Sequence, residues 1–425
     1  MSQFFEYLCR IITTVFMIAV CGFSSAFAAP SSYNTNGCLT DVETDCDSTR
    51  RQCVATVSGK VFTGWWTAAS GGTYIEDLSA YNSVAYAHCE TGKFAVAIKT
   101  PTNKQFSFKR SFTGDLDIDW GDGSTTTSTA GGSWAVSASH TYADANTVYV
   151  IVLTGANVTT YAGYSSYSTL LFDTTQTAIL NIYGSLGALF PSDTSLSANN
   201  QSPRFPSAFA SATNLVGPLP PDLFKGITVK VSSMFATTFN GCSNLSGYLP
   251  PNIFDSSLST DAQSYSNNIF NGTALVTSCP ADTYEVATSI QKSWLNSKVA
   301  CEKCPLHATS AAGSTAKSDC SCPANSALNN AETECVCNSG YTWDGTACSS
   351  SGSACNQCSD TGLNYLKFNN GLSIPICRDK TTTPAINIKH GNTVCYIPLS
   401  TSAAPANSLR INHNGTQYYA VGVAQ

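Results

Sequence analysis

Between about residue 94 and residue 160, apolar and polar positions alternate in short runs such as Phe94-Ala95-Val96-Ala97-Ile98 and Tyr149-Val150-Ile151-Val152-Leu153, with Gly-rich punctuation between them. That pattern predicts strands and turns. At its centre lies Asp115-Leu116-Asp117-Ile118-Asp119-Trp120-Gly121-Asp122-Gly123. A period of two puts Leu116, Ile118 and Trp120 on one face and Asp115, Asp117 and Asp119 on the other, and Asp122-Gly123 predicts a tight turn. Ser139-His140-Thr141-Tyr142 and a valine-rich strand follow.

Two longer periods replace this alternation farther on. The text Asn214-Leu215-Val216-Gly217-Pro218-Leu219-Pro220-Pro221-Asp222-Leu223-Phe224 returns 30 residues later as Asn244-Leu245-Ser246-Gly247-Tyr248-Leu249-Pro250-Pro251-Asn252-Ile253-Phe254. Phe209 matches Phe239 upstream, and a worn third copy runs through Phe270-Asn271-Gly272 to Leu275. A fixed period of this size predicts stacked coils, each burying its apolar face on its neighbour. Two and a half coils need flanking support, which the strand Ile179–Tyr183 before them and the cysteines after them can provide. In the tail, Ile386–Tyr396 aligns without gaps with Leu409–Tyr419, 23 residues on, each reading as strand, Asn/Gly turn, strand. Leu366-Lys367-Phe368-Asn369-Asn370-Gly371 begins an earlier copy, so residues 363 to 425 predict a meander of about six strands.

At the N-terminus, Arg10 precedes the apolar run Ile11–Val20 and the small-residue site Ala26-Phe27-Ala28, the order of a secretory signal cleaved after Ala28. Its apolar core is about a dozen residues, short of the roughly 20 a membrane span needs. Val20 is not the small residue a lipid-anchored Cys21 would prefer. No later stretch is long and apolar enough to span a bilayer.

Composition narrows the class. Only 11% of residues are charged, the net charge is -6, and there is no basic stripe, so nucleic acid is excluded as a partner. Low charge with many β-branched and aromatic residues favours sheet over long solvated helices. Of 19 cysteines, two leave with the signal, four stand near the N-terminus (Cys38, Cys46, Cys53, Cys89), Cys242 is isolated, and twelve fall between Cys279 and Cys395. After export, the groups of four and twelve read as disulfide sets and Cys242 as a buried free thiol. The four N-terminal cysteines allow three pairings, and spacing does not choose between them. In the later set Cys279, Cys304, Cys322 and Cys337 each open a loop that Cys301, Cys320, Cys335 and Cys348 close. The simplest scheme is a string of nearest-neighbour disulfides. Cys377 and Cys395 fall in corresponding return strands and would staple two hairpins. Cys301-x-x-Cys304 and Cys355-x-x-Cys358 also have zinc-ligand spacing, a reading that the interleaved C-x-C pairs and the export signal oppose.

Four resemblances rest on these residues. The W-G-D-G turn at Trp120–Gly123, then His140-Thr141-Tyr142 and a closing strand, resemble a PKD-type immunoglobulin-like β-sandwich, which implies spacing or binding. Met234-Phe235, Cys242-Ser243-Asn244-Leu245 and Pro251-Asn252-Ile253-Phe254 resemble the leucine-rich repeats of BspA-like bacterial surface proteins, which implies surface display and adhesion. The low copy number leaves little of their long concave face. The Cys-Pro openings with Ala312-Gly313-Ser314 look like the ephrin-receptor-like repeat, and Cys335-Val336-Cys337 with Gly340-Tyr341 and Cys348 looks like the tail of an EGF-like module.

The expected architecture is therefore mainly β and multi-domain, combining an immunoglobulin-like β-sandwich, a short leucine-rich-repeat-like solenoid, disulfide-rich cysteine repeats and a C-terminal β-meander. Its expected divisions are a signal peptide at 1–28, a small stapled module at 29–93, the PKD-like sandwich at 94–160 and the BspA-like block at 161–278. The ephrin-receptor-like and EGF-like repeats follow at 279–358, and the hairpin repeat domain at 359–425.

Chemistry is sparse. The five histidines are His88, His140, His307, His390 and His413, and no H-E-x-x-H, G-x-S-x-G or phosphate loop occurs. No catalytic, cofactor-binding or metal residue is assigned and no cofactor is expected. Asp115, Asp117, Asp119 and Asp122 have the oxygen chemistry of a calcium site, but a solvated edge face is the plainer reading. The expected function is a secreted or extracellular, non-catalytic binding or adhesion protein, cell-surface associated or free, recognising a protein or glycan. The alternatives are a secreted carbohydrate-processing enzyme, whose carboxylates converge only in space, and a passive envelope spacer.

Overall fold

The computed structural model describes residues 30–350, apart from 48, 131–135, 162–167, 173–174, 193–201, 230, 232, 259–266 and 340, and farther on only the backbones of strands between 365 and 424. The signal-sequence reading, the Cys355-x-x-Cys358 reading and the Cys377–Cys395 pairing lie outside the described residues. The chain divides into two compact units: one runs to Glu302 and takes in Ala312–Ala316, the other comprises Lys303–Ala311 and the chain from Lys317 onward.

The first unit begins with β1 (Ser32–Asn34), a one-turn helix α1 (Val42–Asp45), β2 (Lys60–Trp66) and β3 (Val84–Thr91). Next come β4 (Phe94–Lys99), β5 (Gln105–Arg110), β6 (Phe112–Asp119), β7 (Thr125–Ala130), β8 (Val136–Thr141) and β9 (Val148–Tyr161). β10 (Leu170–Leu171), β11 (Ile179–Gly184) and a second one-turn helix α2 (Leu186–Leu189) follow. They form three sheets, β1-β3-β2, β10-β5-β8 and β11-β4-β9-β6-β7.

Around β4 and β9 the five-stranded sheet is covered on both faces, and the sequence of these two strands shows why. Along β4, Phe94, Val96 and Ile98 enter the main core while Ala95 and Ala97 enter a second core formed with β2 and β3. β9 divides the same way, Ile151 and Leu153 to one side and Val150 and Val152 to the other. A strand buried on both faces reads as a continuous apolar run. β9 continues eight residues past the apolar run that announced it, paired throughout with β6 across two register shifts. Ile179–Gly184 pairs antiparallel with β4 and so belongs to this sheet, although it lies in the segment read as the repeat block.

The segment 29–93 does not close its core alone. Gln52 Nε2 donates to the Ile182 carbonyl at 2.8 Å, and Asn181 Nδ2 donates to Tyr74 Oη at 2.8 Å, which lies 2.5 Å from Tyr183 Oη. Cys38–Cys89 and Cys46–Cys53 close it, the one arrangement of three that spacing left undecided.

In the repeat block the copies lie one above the next. Amides of Phe205, Ser207, Phe209 and Ser211 donate to carbonyls of Met234, Ala236, Thr238 and Asn240, and those of Thr237, Phe239 and Gly241 donate to Asn267, Ile269 and Asn271. Phe172, Phe209, Phe239 and Phe270 stack in a spine with ring centroids 5.2, 5.2 and 5.4 Å apart. Phe172 sits outside the 30-residue register and supplies the first rung, against Phe106 and Phe108 of β5. Each copy turns at the same two corners. Ser207, Thr237 and Asn268 have φ of 55, 55 and 56°, and Ser211, Gly241 and Gly272 have 64, 78 and 72°. The recurring glycine of the text has a steric reason, since a Cβ on Gly217 would lie 1.8 Å from the Ser246 carbonyl oxygen. β12 (Ser246–Gly247) pairs parallel with β13 (Ala274–Leu275). At one flank Val216 donates to Leu180 of β11; at the other Leu249 donates to Val299 and accepts from Cys301, which is bonded to Cys279. β14 (Thr283–Val286) and β15 (Ala300–Lys303) complete this part.

In the second unit, Cys304–Cys320, Cys322–Cys335 and Cys337–Cys348 are bonded, and with Cys279–Cys301 these are the four nearest-neighbour loops. The zinc spacing of Cys301 and Cys304 is consumed by two different disulfides. β16 (Ser326–Leu328) pairs with β17 (Cys335–Cys337), and β18 (Tyr341–Trp343) with β19 (Cys348–Ser350). The tail holds β20 (Tyr365–Lys367), β21 (Leu372–Pro375), β22 (Ala385–His390), β23 (Thr393–Pro398), β24 (Ser408–His413), β25 (Thr416–Val421) and β26 (Val423–Ala424). In place of the expected six-strand meander, the described residues of the tail form three ladders: β22 with β23, β24 with β25, and β20-β21-β26, in which the last strand returns to the first hairpin. His390–Thr393 and His413–Thr416 close the two equivalent hairpins.

Candidate binding site

Trp120, His140 and Tyr142, which carry the PKD-like resemblance, lie together in the structure. Trp120 stacks on His140 with centroids 5.0 Å apart, and Tyr142 donates its hydroxyl to the Trp120 carbonyl at 3.0 Å. Asp122 Oδ2 lies 2.7 Å from His140 Nε2, and Ser124 Oγ donates to Asp122 Oδ1 at 2.5 Å. The set Ser124, His140 and Asp122 has the residue types of a hydrolytic triad, a grouping the sequence did not reveal. Its geometry is different: Ser124 Oγ lies 3.4 Å from the same Nε2 that meets Asp122. A triad needs the acid on one ring nitrogen and the nucleophile on the other. Here the serine proton is held by the carboxylate, and the cluster locks the turn between β6 and β7. Burial would raise the Asp122 pKa, but hydrogen bonds from Ser124 and His140 outweigh it and hold the carboxyl below its ordinary value.

Asp115, Asp117 and Asp119 do share the face opposite Leu116 and Ile118, which are buried. They do not converge with Asp122. Asp117 accepts from Thr127 Oγ1 at 2.8 Å and Asp119 from the Gly121 amide at 2.9 Å. Among the described residues no group of three or more His, Cys, Asp or Glu side chains is placed to hold a metal ion. Cys242 is a buried free thiol, its S–H donating to the Phe209 carbonyl at 3.0 Å, and burial pushes its pKa up to about 12, so it is a packed rung and no nucleophile.

The concave surface lies elsewhere. A groove of about 290 Å³ runs where the stapled module, the β3–β4 turn, the β11–α2 junction and the first repeat meet. Val54, Ala55, Ala188 and Pro221 give it an apolar wall; Lys60, Lys93, Ser185 and Asp222 supply its polar groups. Each is placed by a local cause. Val54 follows Cys53, whose bond to Cys46 fixes the loop. Ser185 caps α2, accepting from the Ala188 amide at 3.0 Å and donating to the Asp222 carbonyl at 2.6 Å. Asp222 turns at φ 58° just after the Pro-Pro pair. A second, more polar groove of about 250 Å³ lies across Lys60, between Asn36, Ser70, His88 and Glu90, where His88 is fixed by stacking on Trp66 at 4.8 Å. None of these lysines was singled out in the sequence, since the residues that line the groove come together only through the fold. The chain matches no family model, no curated protein and no solved structure.

Proposed function

We propose that this protein is a non-catalytic binding or adhesion protein that works outside the cell, free or held at its surface. In this reading the five- and three-stranded sheets are a PKD-like, immunoglobulin-like sandwich, the stacked copies a short BspA-like leucine-rich-repeat solenoid, and the cysteine loops ephrin-receptor-like and EGF-like modules. The single observation that carries it is the open groove beside Lys60 and Lys93, an accessible concave surface whose serine hydroxyl, that of Ser185, is already taken up in hydrogen bonds to Ala188 and Asp222. Six disulfides are the mark of a chain that folds in an oxidising compartment. Among the described residues no helix is long and apolar enough to cross a membrane.

The test is an array of extracellular-matrix proteins and glycans probed with the purified chain lacking residues 1–28. Saturable capture on one class of ligand, without turnover, is the expected result. Polysaccharide cleavage abolished by a single Asp or Glu substitution would replace this reading with the carbohydrate-processing one, and silence on every spot would leave the passive spacer.

A further inference from the structure

We propose that the groove flanked by Lys60 and Lys93 takes an acidic peptide segment bearing an aliphatic side chain, presented by a protein partner. The inference rests on the binding reading above and gives its ligand a chemistry.

Charge is the first argument. The chain carries a net charge of -6, yet both lysines at this groove are exposed and neither makes an ion pair among the described residues. Lys60 has only a long 3.5 Å contact to the Cys89 carbonyl. The one carboxylate in the lining, Asp222, is already engaged by Lys225 at 3.3 Å through Oδ2. Two uncompensated ammonium groups in one groove attract carboxylates and steer their approach.

The wall is the second argument. Val54 is 54% exposed, among the most exposed large apolar side chains described, and it faces a groove that also contains Ala188 and Pro221. An aliphatic ligand group buried there would remove apolar surface from water on both sides.

The free polar groups decide between a peptide and a sugar. A sugar ring presents hydroxyls along its whole rim and needs a dense set of free donors and acceptors. Ser185 is consumed between Ala188 and Asp222, and Phe62, the aromatic residue in the lining, is 1% exposed and offers no face for a ring to stack on. What remains free at the groove surface is the pair of ammonium groups, since the unpartnered Asp222 Oδ1 is enclosed. Two ammonium groups without a dense rim of hydroxyl partners suit the Glu or Asp side chains of a peptide better than a sugar ring.

The experiment uses the whole chain lacking residues 1–28 and a fluorescein-labelled, amidated peptide of sequence Glu-Glu-Leu-Glu-Glu, read by fluorescence anisotropy at low salt, with polygalacturonate as the rival anion. Expected are saturable binding that weakens as salt rises, an affinity loss of about tenfold or more in Lys60→Glu/Lys93→Glu, a smaller loss in Val54→Asp, and no change in Lys104→Glu. The reversed lysines are exposed, so unchanged thermal melting verifies that the double variant folds. Absent peptide binding, binding indifferent to the double reversal, or lysine-dependent binding of polygalacturonate in place of the peptide would each overturn the assignment. The two readings fail separately. Array capture that survives the double reversal leaves the binding reading standing and removes this site; silence of the arrays and of the peptide together removes both.

Discussion

Between Phe205 and Leu275 the chain buries rung upon rung of phenylalanine and leucine and contains a single cysteine, which is unbonded. Between Cys304 and Cys348 it carries three disulfides, and among the described residues only Pro305, Ala308, Cys335 and Cys348 are buried. The first region is held by apolar burial and by ladders that pass from copy to copy. In the second, crosslinks stand in for a core by restricting the unfolded chain. One polypeptide thus contains two ways of offsetting conformational entropy, and they respond to different insults.

The largest expected effect comes from the spine. Phe239 stacks on both Phe209 and Phe270, at 5.2 and 5.4 Å, so Phe239→Ala cuts it in the middle and is expected to cost about 3–5 kcal/mol. Denaturant unfolding followed through hydrogen exchange of residues 205–275 checks it, and the cysteine loops should be unaffected. Next in size is Cys304→Ser/Cys320→Ser. Opening a loop of this length is expected to cost about 3 kcal/mol, read as proteolytic cleavage between residues 304 and 320 while the repeat block resists.

The same contrast explains what could be read in the sequence. The repeat was legible because each coil needs Leu, Phe and Gly at fixed places for packing and close approach, so identity itself recurs. Nearest-neighbour pairing of the later cysteines was legible because short loops with almost no core leave few other partners within reach. Phe172 was hidden, since it joins the spine from outside the 30-residue register. The N-terminal pairings were hidden too, because Cys38 and Cys89 meet through a sheet and spacing says nothing of that. The aspartates were placed correctly on one face by strand periodicity, but their hydrogen-bond partners were not legible. The groove drew no signal: Val54, Lys93, Ser185 and Asp222 share no motif and are neighbours only after β2, β11 and the first coil have packed.

A third test asks whether burial also governs the N-terminal module. Tyr74 and Tyr183 are enclosed, and burial raises both phenol pKa values, that of Tyr183 the more strongly. In the unfolded chain a tyrosine ionises near 10. The folded state therefore holds these protons more tightly, and the stability this contributes is complete below about pH 10 and lost as pH rises above it. Melting temperature measured from pH 8 to 11 should fall at the alkaline end, and Tyr183→Phe should flatten that fall.

The smallest effect concerns a corner. Ser211 occupies a left-handed position, φ 64°, that Gly241 and Gly272 fill in the other copies. Ser211→Gly relieves the backbone there and is expected to stabilise the repeat block by up to about 1 kcal/mol, visible as a small rise in the denaturant midpoint with unchanged slope.

Hydrogen exchange of the intact chain with and without a thiol reductant addresses the division most directly. Reduction should strip protection from residues 304–348 and leave the amides of Phe209, Phe239 and Gly241 as slow as before. Loss of protection in both regions together, or retained protection in the reduced loops, would contradict it.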